Sequence, residues 1–265
     1  MTTKKRDSKL EYNYIGSEKK NSNIIIQKKG QYVTGYSVGI LYLDACWYPV
    51  IPGNVANLET YDFPVRLKVV PDCHTSNLLS GDLALLESII KAAKELEDEG
   101  ARAICAACGF FGNFQDKVAT AVAIPVYLSS MIQVPWIKTG LKPGQKIGIL
   151  TAYAAGLTES LFSSCGITDT SNLIISDLSQ EPEFSAILEN RGSFDNEKVR
   201  QEVVKAAITL VEDNSDIGAI LLECSDMPPY AADVQKAVRL PVYDFITMIR
   251  WVHHATSQRP YYGVF

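Results

Sequence analysis

The sequence has few of the residues on which metal-dependent and nucleotide-dependent enzymes rely. It holds three histidines among 265 residues, and Cys105 and Cys108 form its one CxxC pair. A structural zinc site needs four ligands, so this pair alone does not make one. The GxxxxGK[ST], GxGxxG, HExxH and EF-hand patterns are also absent. The sequence therefore gives no support for nucleotide binding, metalloprotease activity or calcium binding. We therefore expect no cofactor and no metal ion, while a thioredoxin-like use of the cysteine pair stays open.

The sequence also has no long apolar run, and the part of the chain after its N-terminal arm is not basic. No run reaches the roughly 18–20 apolar residues that cross a bilayer, and the polar start of the sequence does not resemble a secretory signal. Residues 1–30 carry eight basic and three acidic side chains, whereas the whole chain has a net charge of -5. The acidic remainder argues against nucleic acid as a partner. We expect a cytoplasmic protein without membrane or nucleic-acid partners, whose basic arm is a solvated extension.

Short apolar runs alternate with helical patterns along the rest of the chain. Eight runs bounded by turn residues predict buried strands. They span residues 38–43, 65–70, 102–107, 125–128, 146–151, 173–176, 217–223 and 240–243. Apolar periodicity predicts helices over 83–98 and 195–213, the second capped by Asp195. This alternation is typical of βαβ units with parallel sheets and helices on both faces.

The strand pattern is duplicated within the chain. The matching segments are SVGIL (37–41) with KIGIL (146–150), residues 98–108 with 214–224, and IPVY (124–127) with LPVY (240–243). Cys108 lies 17 positions before Pro125, and Cys224 lies 17 positions before Pro241. The equal spacing predicts two similar lobes, each with a cysteine at the end of the equivalent strand.

These two cysteines are the main candidates for chemistry. Ligands of open α/β sheets bind beyond the carboxyl ends of the strands, so two facing lobes place Cys108 and Cys224 on opposite walls of one cleft. Free amides at the following helix starts are expected to lower both thiol pKa values and to hold a carboxylate. Gly109 permits close approach of the backbone. Packing is the expected role of the other four cysteines.

The segment ECSDMP (223–228) resembles the second cysteine motif of the aspartate/glutamate racemase superfamily. In that motif a cysteine is followed by Thr or Ser, an acidic residue or His, one further residue and Pro. The matching residues here are Cys224, Ser225, Asp226 and Pro228. Cys108 fits the first cysteine by position, and the resemblance covers residues 36–257. The superfamily also includes hydantoin racemases, maleate isomerases and arylmalonate decarboxylases.

The sequence departs from the amino-acid racemases after the first cysteine. They have Asn and Thr there, whereas this chain has Gly109-Phe110-Phe111. The loss of polar side chains favours an acid less polar than aspartate or glutamate. Residues 51–70 also look like a branch of the superfamily without a settled substrate, with Asn54 where that branch has Asp.

The resemblance implies an α/β fold of two pseudo-symmetric αβα lobes with mostly parallel sheets and an active site in the cleft between them. The expected boundaries are an N-terminal extension over 1–35, lobe one over 36–135 plus 244–265, and lobe two over 136–243. One catalytic cysteine, Cys108 or Cys224, removes an α-proton as a thiolate and the other returns a proton to the opposite face. The residues expected to bind substrate are Gly109, Phe110, Ser225 and Asp226, the last of which holds an amino group or orients a cysteine.

Four further polar residues are candidates for substrate contact. Ser129 and Ser130 end the fourth predicted strand, where capping of the next helix is the alternative role. Asp44 and Asn57 lie in the loop after the first strand, where turn formation is the alternative.

The function that these features favour is a PLP-independent racemase or epimerase of an amino acid or related carboxylate. A cofactor-independent decarboxylase or a cis–trans isomerase of a small dicarboxylate is the alternative. A binding protein without turnover is a third reading. The expected partners are a small carboxylate substrate and a second copy of the chain in a homodimer.

Overall fold

Two four-stranded parallel sheets organise residues 29–265, the part of the chain that the computed structural model describes. Most of the basic extension lies outside the described residues. The first sheet contains β1 (Val38–Tyr42), β2 (Val65–Val69), β3 (Ala103–Ala106) and β4 (Val126–Tyr127). The second contains β5 (Lys146–Thr151), β6 (Leu173–Asp177), β7 (Ile217–Leu222) and β8 (Val242–Tyr243). All eight predicted strands are confirmed, as is the α/β fold class.

The two sheets have the same topology. Their strand orders are β2-β1-β3-β4 and β6-β5-β7-β8, and every neighbouring pair is parallel. Strands β3 and β7 are wholly buried, because helices cover both faces of each sheet. In each sheet the second strand lies on one side of the first strand and the third strand lies on the other side. Ligands of such folds bind at the carboxyl ends of the strands where the chain changes sides in this way. The duplicated sequence segments therefore occupy equivalent strands.

Nine α-helices connect and cover the strands within residues 29–265. They are α1 (Thr75–Leu79), α2 (Leu86–Glu99), α3 (Gln115–Ala121), α4 (Val134–Gly140), α5 (Glu159–Ser164), α6 (Ser185–Leu188), α7 (Asn196–Asp213), α8 (Ala231–Val238) and α9 (Phe245–Thr256). Six 3₁₀ turns span Leu58–Thr60, Leu83–Leu85, Gly109–Phe114, Ser130–Gln133, Ala154–Gly156 and Pro228–Tyr230. No helix in the described part of the chain is long and apolar enough to cross a membrane.

Both long helices end close to their predicted residues, and α7 also begins where its sequence predicts. The Asp195 carboxylate accepts hydrogen bonds from the first backbone amides of α7, which satisfies donors that the helix itself leaves free. Helix α2 ends at Gly100, whose φ of 102° is a left-handed conformation that glycine adopts without strain. Its first predicted turn, residues 83–85, is a 3₁₀ turn rather than α-helix.

The last helix returns to the first sheet. Although α9 follows β8 of the second sheet, its buried side chains pack in one cluster with β1 and β3. The helix contributes Phe245, Met248, Ile249 and Val252 to that cluster. We call the first sheet with its helices and α9 lobe one, and the second sheet with its helices lobe two.

Candidate active site

The two cysteines occupy equivalent positions at the carboxyl ends of β3 and β7. Each lies two residues beyond its strand, and each is followed by a 3₁₀ turn that leads into a helix. Cys108 has extended backbone with φ of -174° and precedes the turn Gly109–Phe114. Both thiols line one cavity of about 30 Å³ between the lobes. The structure therefore brings the two candidate catalytic residues together.

The cavity is lined by apolar, acidic and hydroxyl side chains. Glu223 and Asp226 are its acidic residues, and Tyr48, Thr75 and Ser225 supply hydroxyl groups. The remaining walls are the two thiols, Gly109 and apolar residues including Phe110. No lysine, arginine or histidine is among the lining residues. Among residues 29–265, the charged groups that line this site are thus all acidic, and the donors that these residues offer to a substrate anion are neutral.

Asp226 lies at the centre of a hydrogen-bond network. Its carboxylate accepts a bond from the Asn54 side-chain amide and from the Ser225 hydroxyl at 3.3 Å. The Tyr48 hydroxyl and the Cys224 thiol each donate to it at 3.5 Å. Burial raises the pKa of Asp226 to about 6, although the four donors act in the opposite direction. Asp226 is therefore placed to orient Cys224, one of the two roles expected for it.

Glu223 is wholly buried between the two cysteine loops. Its Oε2 accepts a bond from the Thr151 hydroxyl at 2.8 Å, while its Oε1 has no hydrogen-bond partner among residues 29–265. Oε1 lies against the α-carbon of Gly109, so a side chain at position 109 would collide with it. Burial raises the pKa of Glu223 to about 7.

Sequence reasoning missed Glu223, Tyr48 and Thr151 as residues of the site. A signal for Glu223 was present, because a charged residue that ends a wholly apolar strand and immediately precedes Cys224 needs a reason to be buried. Tyr48 is distant from both cysteines in sequence, and only the packing of its loop against lobe two brings it to the cavity.

The pKa values of the Cys108 and Cys224 thiols differ from those expected from the sequence. Burial, together with the nearby carboxyl groups of Glu223 and Asp226, raises the pKa of Cys108 and of Cys224 well above the usual value. The backbone amides of Phe110 and Asp226 favour the thiolates, as predicted, but their effect is smaller. The expected lowering of the pKa is therefore wrong for the ligand-free site, because no positive side chain of residues 29–265 lines the cavity.

Ser129 and Ser130 do not line the cavity. The Ser129 hydroxyl accepts a bond from the backbone amide of Met131 at 3.2 Å and so caps the following turn. The Ser130 hydroxyl donates to the backbone carbonyl of Glu223 at 3.1 Å, across the boundary between the lobes. Both hydroxyls make structural bonds here, and substrate contact by either residue stays a prediction.

Asp44 and Asn57 are likewise turn residues. The Asp44 carboxylate accepts a bond from the backbone amide of Asp72 at 3.1 Å. The Asn57 side chain accepts from the Glu59 amide at 2.9 Å and donates to the Val50 carbonyl at 2.8 Å. Neither residue reaches the cavity, because each side chain holds its own loop together.

The CxxC pair is split between two environments. Cys105 is buried in the cluster that α9 forms on lobe one, whereas Cys108 lines the cavity. All six cysteines are free thiols. Within residues 29–265, no group of three or more His, Cys, Asp or Glu side chains is arranged to hold a metal ion. Cys105 thus packs in the core and does not face the site.

Two curated relatives match most of the chain. Dimethylsulfoniopropionate lyase 7 of Emiliania huxleyi is 31% identical over 238 residues, which cover 86% of this chain and 69% of the relative. Dimethylsulfoniopropionate lyase of Durusdinium sp. clade D is 28% identical over 235 residues, with coverage of 86% and 77%. No protein-family model matches.

Solved structures match the fold. Unliganded arylmalonate decarboxylase has a TM-score of 0.57 and 18% identity, covering 86% of this chain and 97% of that one. Allantoin racemase from Pseudomonas fluorescens has a TM-score of 0.55 and 12% identity, covering 86% of this chain and 100% of that one.

The two-lobed fold is shared with arylmalonate decarboxylase and allantoin racemase, as the resemblance of the cysteine motifs led us to expect. By its similarity to the curated relative, the chain belongs to the dimethylsulfoniopropionate lyase family. The comparisons place the protein among enzymes. They do not confirm the isomerase class that the sequence analysis favoured, because the curated relatives are lyases.

Proposed function

We propose that the protein is a lyase that cleaves dimethylsulfoniopropionate into dimethyl sulfide and acrylate. The observation that carries the proposal is the charge of the cavity, whose ionisable residues within residues 29–265 are two acids, two thiols and one tyrosine, without a basic side chain. Dimethylsulfoniopropionate bears a carboxylate at one end and a sulfonium cation at the other. The cation is complementary to Glu223 and Asp226, whereas a dicarboxylate would place two further anions beside them.

The reaction is an elimination that needs one base. A cysteine thiolate removes a proton from the carbon next to the substrate carboxylate. The electron pair of that C–H bond forms the new carbon–carbon double bond, and the C–S pair leaves with dimethyl sulfide. The proton stays on the thiol and returns to solvent before the next turnover. The Thr75 hydroxyl and the amides after each cysteine are the neutral donors available for the charge that develops on the carboxylate.

The cationic substrate itself favours the thiolate. Burial holds both thiols in their neutral form in the ligand-free site. A sulfonium charge at roughly 5 Å in an effective dielectric constant of about 20 stabilises a thiolate by about 3 kcal/mol, or roughly two pKa units. A substrate with a second negative charge would instead raise the thiol pKa further. The site is thus suited to activating its base only when a cation is bound.

Product analysis tests this proposal. The purified protein is incubated with dimethylsulfoniopropionate, dimethyl sulfide is measured by gas chromatography, and acrylate by liquid chromatography. We expect equal amounts of both products, and none above the buffer background from a double C108S/C224S variant. Equal background rates with and without wild-type protein would contradict the lyase proposal.

Racemisation or epimerisation is the second candidate, because a thiol on each lobe can serve each face of an α-carbon. It is distinguished by incubating a panel of chiral amino and hydroxy acids in deuterated water. Exchange of the α-proton with inversion and without loss of mass supports this candidate, while release of carbon dioxide supports a decarboxylase. The cytoplasmic location and the homo-oligomeric state stay predictions.

A further inference from the structure

We propose that Glu223 is the counterion of the substrate's sulfonium group and thereby selects a cationic substrate. This assignment rests on the proposed lyase function and deepens it by naming a specificity-determining residue. Glu223 immediately precedes Cys224 and lines the cavity. Its carboxyl group crosses from lobe two to the α-carbon of Gly109, the residue after Cys108. It therefore lies between the two loops that carry the thiols.

The hydrogen bonding of Glu223 suits a cation that has no hydrogen-bond donor. Oε2 accepts from the Thr151 hydroxyl, whereas Oε1 is buried and without a partner among the described residues. Buried carboxyl oxygens are nearly always hydrogen-bonded, so this one needs an explanation. A sulfonium group carries no N–H or O–H donor and attracts a carboxylate through charge alone. A carboxyl oxygen to which no described group donates fits such a group.

Asp226 is less suited to this role, although it is also acidic and buried. Its carboxylate already accepts bonds from Cys224, Ser225, Asn54 and Tyr48. Those donors stabilise its charge and hold the loop after β7. Of the two acids in the cavity, Glu223 is thus the one with an oxygen left for the substrate.

Gly109 is what allows this placement. A β-carbon at position 109 would collide with Oε1 and with the rest of the Glu223 carboxyl group. The amino-acid racemases that the sequence resembles have Asn at this position, by their motif. In this chain the space of that side chain is occupied by a carboxyl group from the other lobe. Gly109 thus leaves room for an acidic group beside Cys108.

A pair of probes that differ only in charge tests the proposal. 3-(Trimethylammonio)propionate carries a quaternary nitrogen where 4,4-dimethylpentanoate carries a quaternary carbon, and neither contains a sulfide leaving group. Calorimetry at pH 8 measures both dissociation constants. We expect the wild-type protein to bind the cationic probe at least 10-fold more tightly. The variant Glu223→Gln, which keeps the shape and the bond to Thr151, should bring the ratio close to one.

Asp226→Asn is the matched control and should keep most of the preference for the cation. A ratio unchanged in Glu223→Gln, or lost in Asp226→Asn instead, would overturn the assignment. If Glu223→Gln does not fold, the pH dependence of the wild-type ratio decides. Because ionisation of Glu223 is needed, the preference should rise as pH increases through about 7. A ratio that stays flat from pH 6 to pH 8.5 would reject the proposal.

The other ionisable groups around Glu223 do not produce the same profile. The thiols of Cys108, Cys165 and Cys224 face it, and burial raises the pKa of each in the ligand-free site. Because a bound cation favours the thiolates of Cys108 and Cys224, the C108S/C224S double variant is measured with the same two probes and should retain the rise near pH 7. Asp226 titrates lower, at about 6, and its contribution is removed in Asp226→Asn, which should retain the rise near pH 7.

Failure of this assignment is distinguishable from failure of the lyase proposal. If the wild-type protein releases dimethyl sulfide but Glu223→Gln keeps the charge preference, only the counterion role is refuted. If the wild-type protein releases none, the lyase proposal fails, while the two inert probes still report whether Glu223 selects a cation.

Discussion

At the scale of single residues, the site separates two acids by their surroundings. Asp226 has four hydrogen-bond donors, and Glu223 has one. Burial raises both pKa values, to about 6 and about 7. The same burial keeps Cys108 and Cys224 protonated until a ligand arrives. A site of this kind has little reactivity of its own and gains its base from the charge of what it binds.

Single replacements of the two cysteines distinguish elimination from racemisation. Elimination needs one base, so one of C108S and C224S should lose about 10²–10⁴-fold in kcat, as expected for loss of a general base. The other variant should lose about 10-fold or less, because dimethyl sulfide leaves without needing a proton. The measurement is the rate of dimethyl sulfide release at saturating substrate. Equal large losses in both variants would favour two-thiol chemistry on opposite faces.

A methyl group at position 109 should damage the site without unfolding the protein. In Gly109→Ala the new β-carbon displaces the Glu223 carboxyl group, so kcat/KM for dimethylsulfoniopropionate should fall at least 10-fold. Gly140→Ala is the matched control, because nothing lies near a β-carbon at the end of α4. The control should keep full activity and an unchanged melting temperature. Full activity in Gly109→Ala would show that the Glu223 position is irrelevant to turnover.

At the scale of elements, the strands were predictable and the loops were not. The duplicated segments and the equal spacing from cysteine to proline predict equivalent strand ends, and the structure has the cysteines there. The roles of Ser129 and Ser130 could not be predicted, because a serine after a strand caps a turn or binds a ligand with the same hydroxyl. The thiol pKa values needed the whole cavity, since desolvation depends on what the other lobe covers.

Loss of the N-cap of α7 should lower the stability of the protein and leave its catalytic activity unchanged. Asp195 accepts two backbone amides and lies at an exposed end of the helix. Asp195→Ala should therefore lower the free energy of unfolding by about 0.5–2 kcal/mol. Asp195→Asn keeps the cap and should stay close to wild type. Urea denaturation measures both, and activity at 25 °C should be unchanged. A loss of activity in folded Asp195→Ala would link α7 to the site.

At the scale of the whole molecule, the site between the lobes has little free space. A cavity of about 30 Å³ holds roughly two water molecules. Bonds across the boundary hold the lobes together, among them that from the Ser130 hydroxyl to the Glu223 carbonyl at 3.1 Å. Farther out, the Gly192 amide donates to the Trp47 carbonyl at 2.8 Å. We predict that the lobes separate to admit a substrate and close again over it.

Trp47 can report this movement. Its indole ring packs against Gly192 of lobe two, although 70% of the residue is exposed. The chain has three tryptophans, so the double variant Trp136→Phe and Trp251→Phe leaves Trp47 as the only tryptophan.

In the ligand-free protein, open molecules expose both faces of the Trp47 ring. Binding of 3-(trimethylammonio)propionate should shift the population to the closed form and reduce quenching by iodide. The full triple Phe variant, including Trp47→Phe, is the control and should show no ligand-dependent tryptophan signal. If calorimetry shows that the probe binds while quenching of Trp47 stays the same, the two lobes do not change their separation on binding, and the substrate must enter by side-chain movement within a closed cleft.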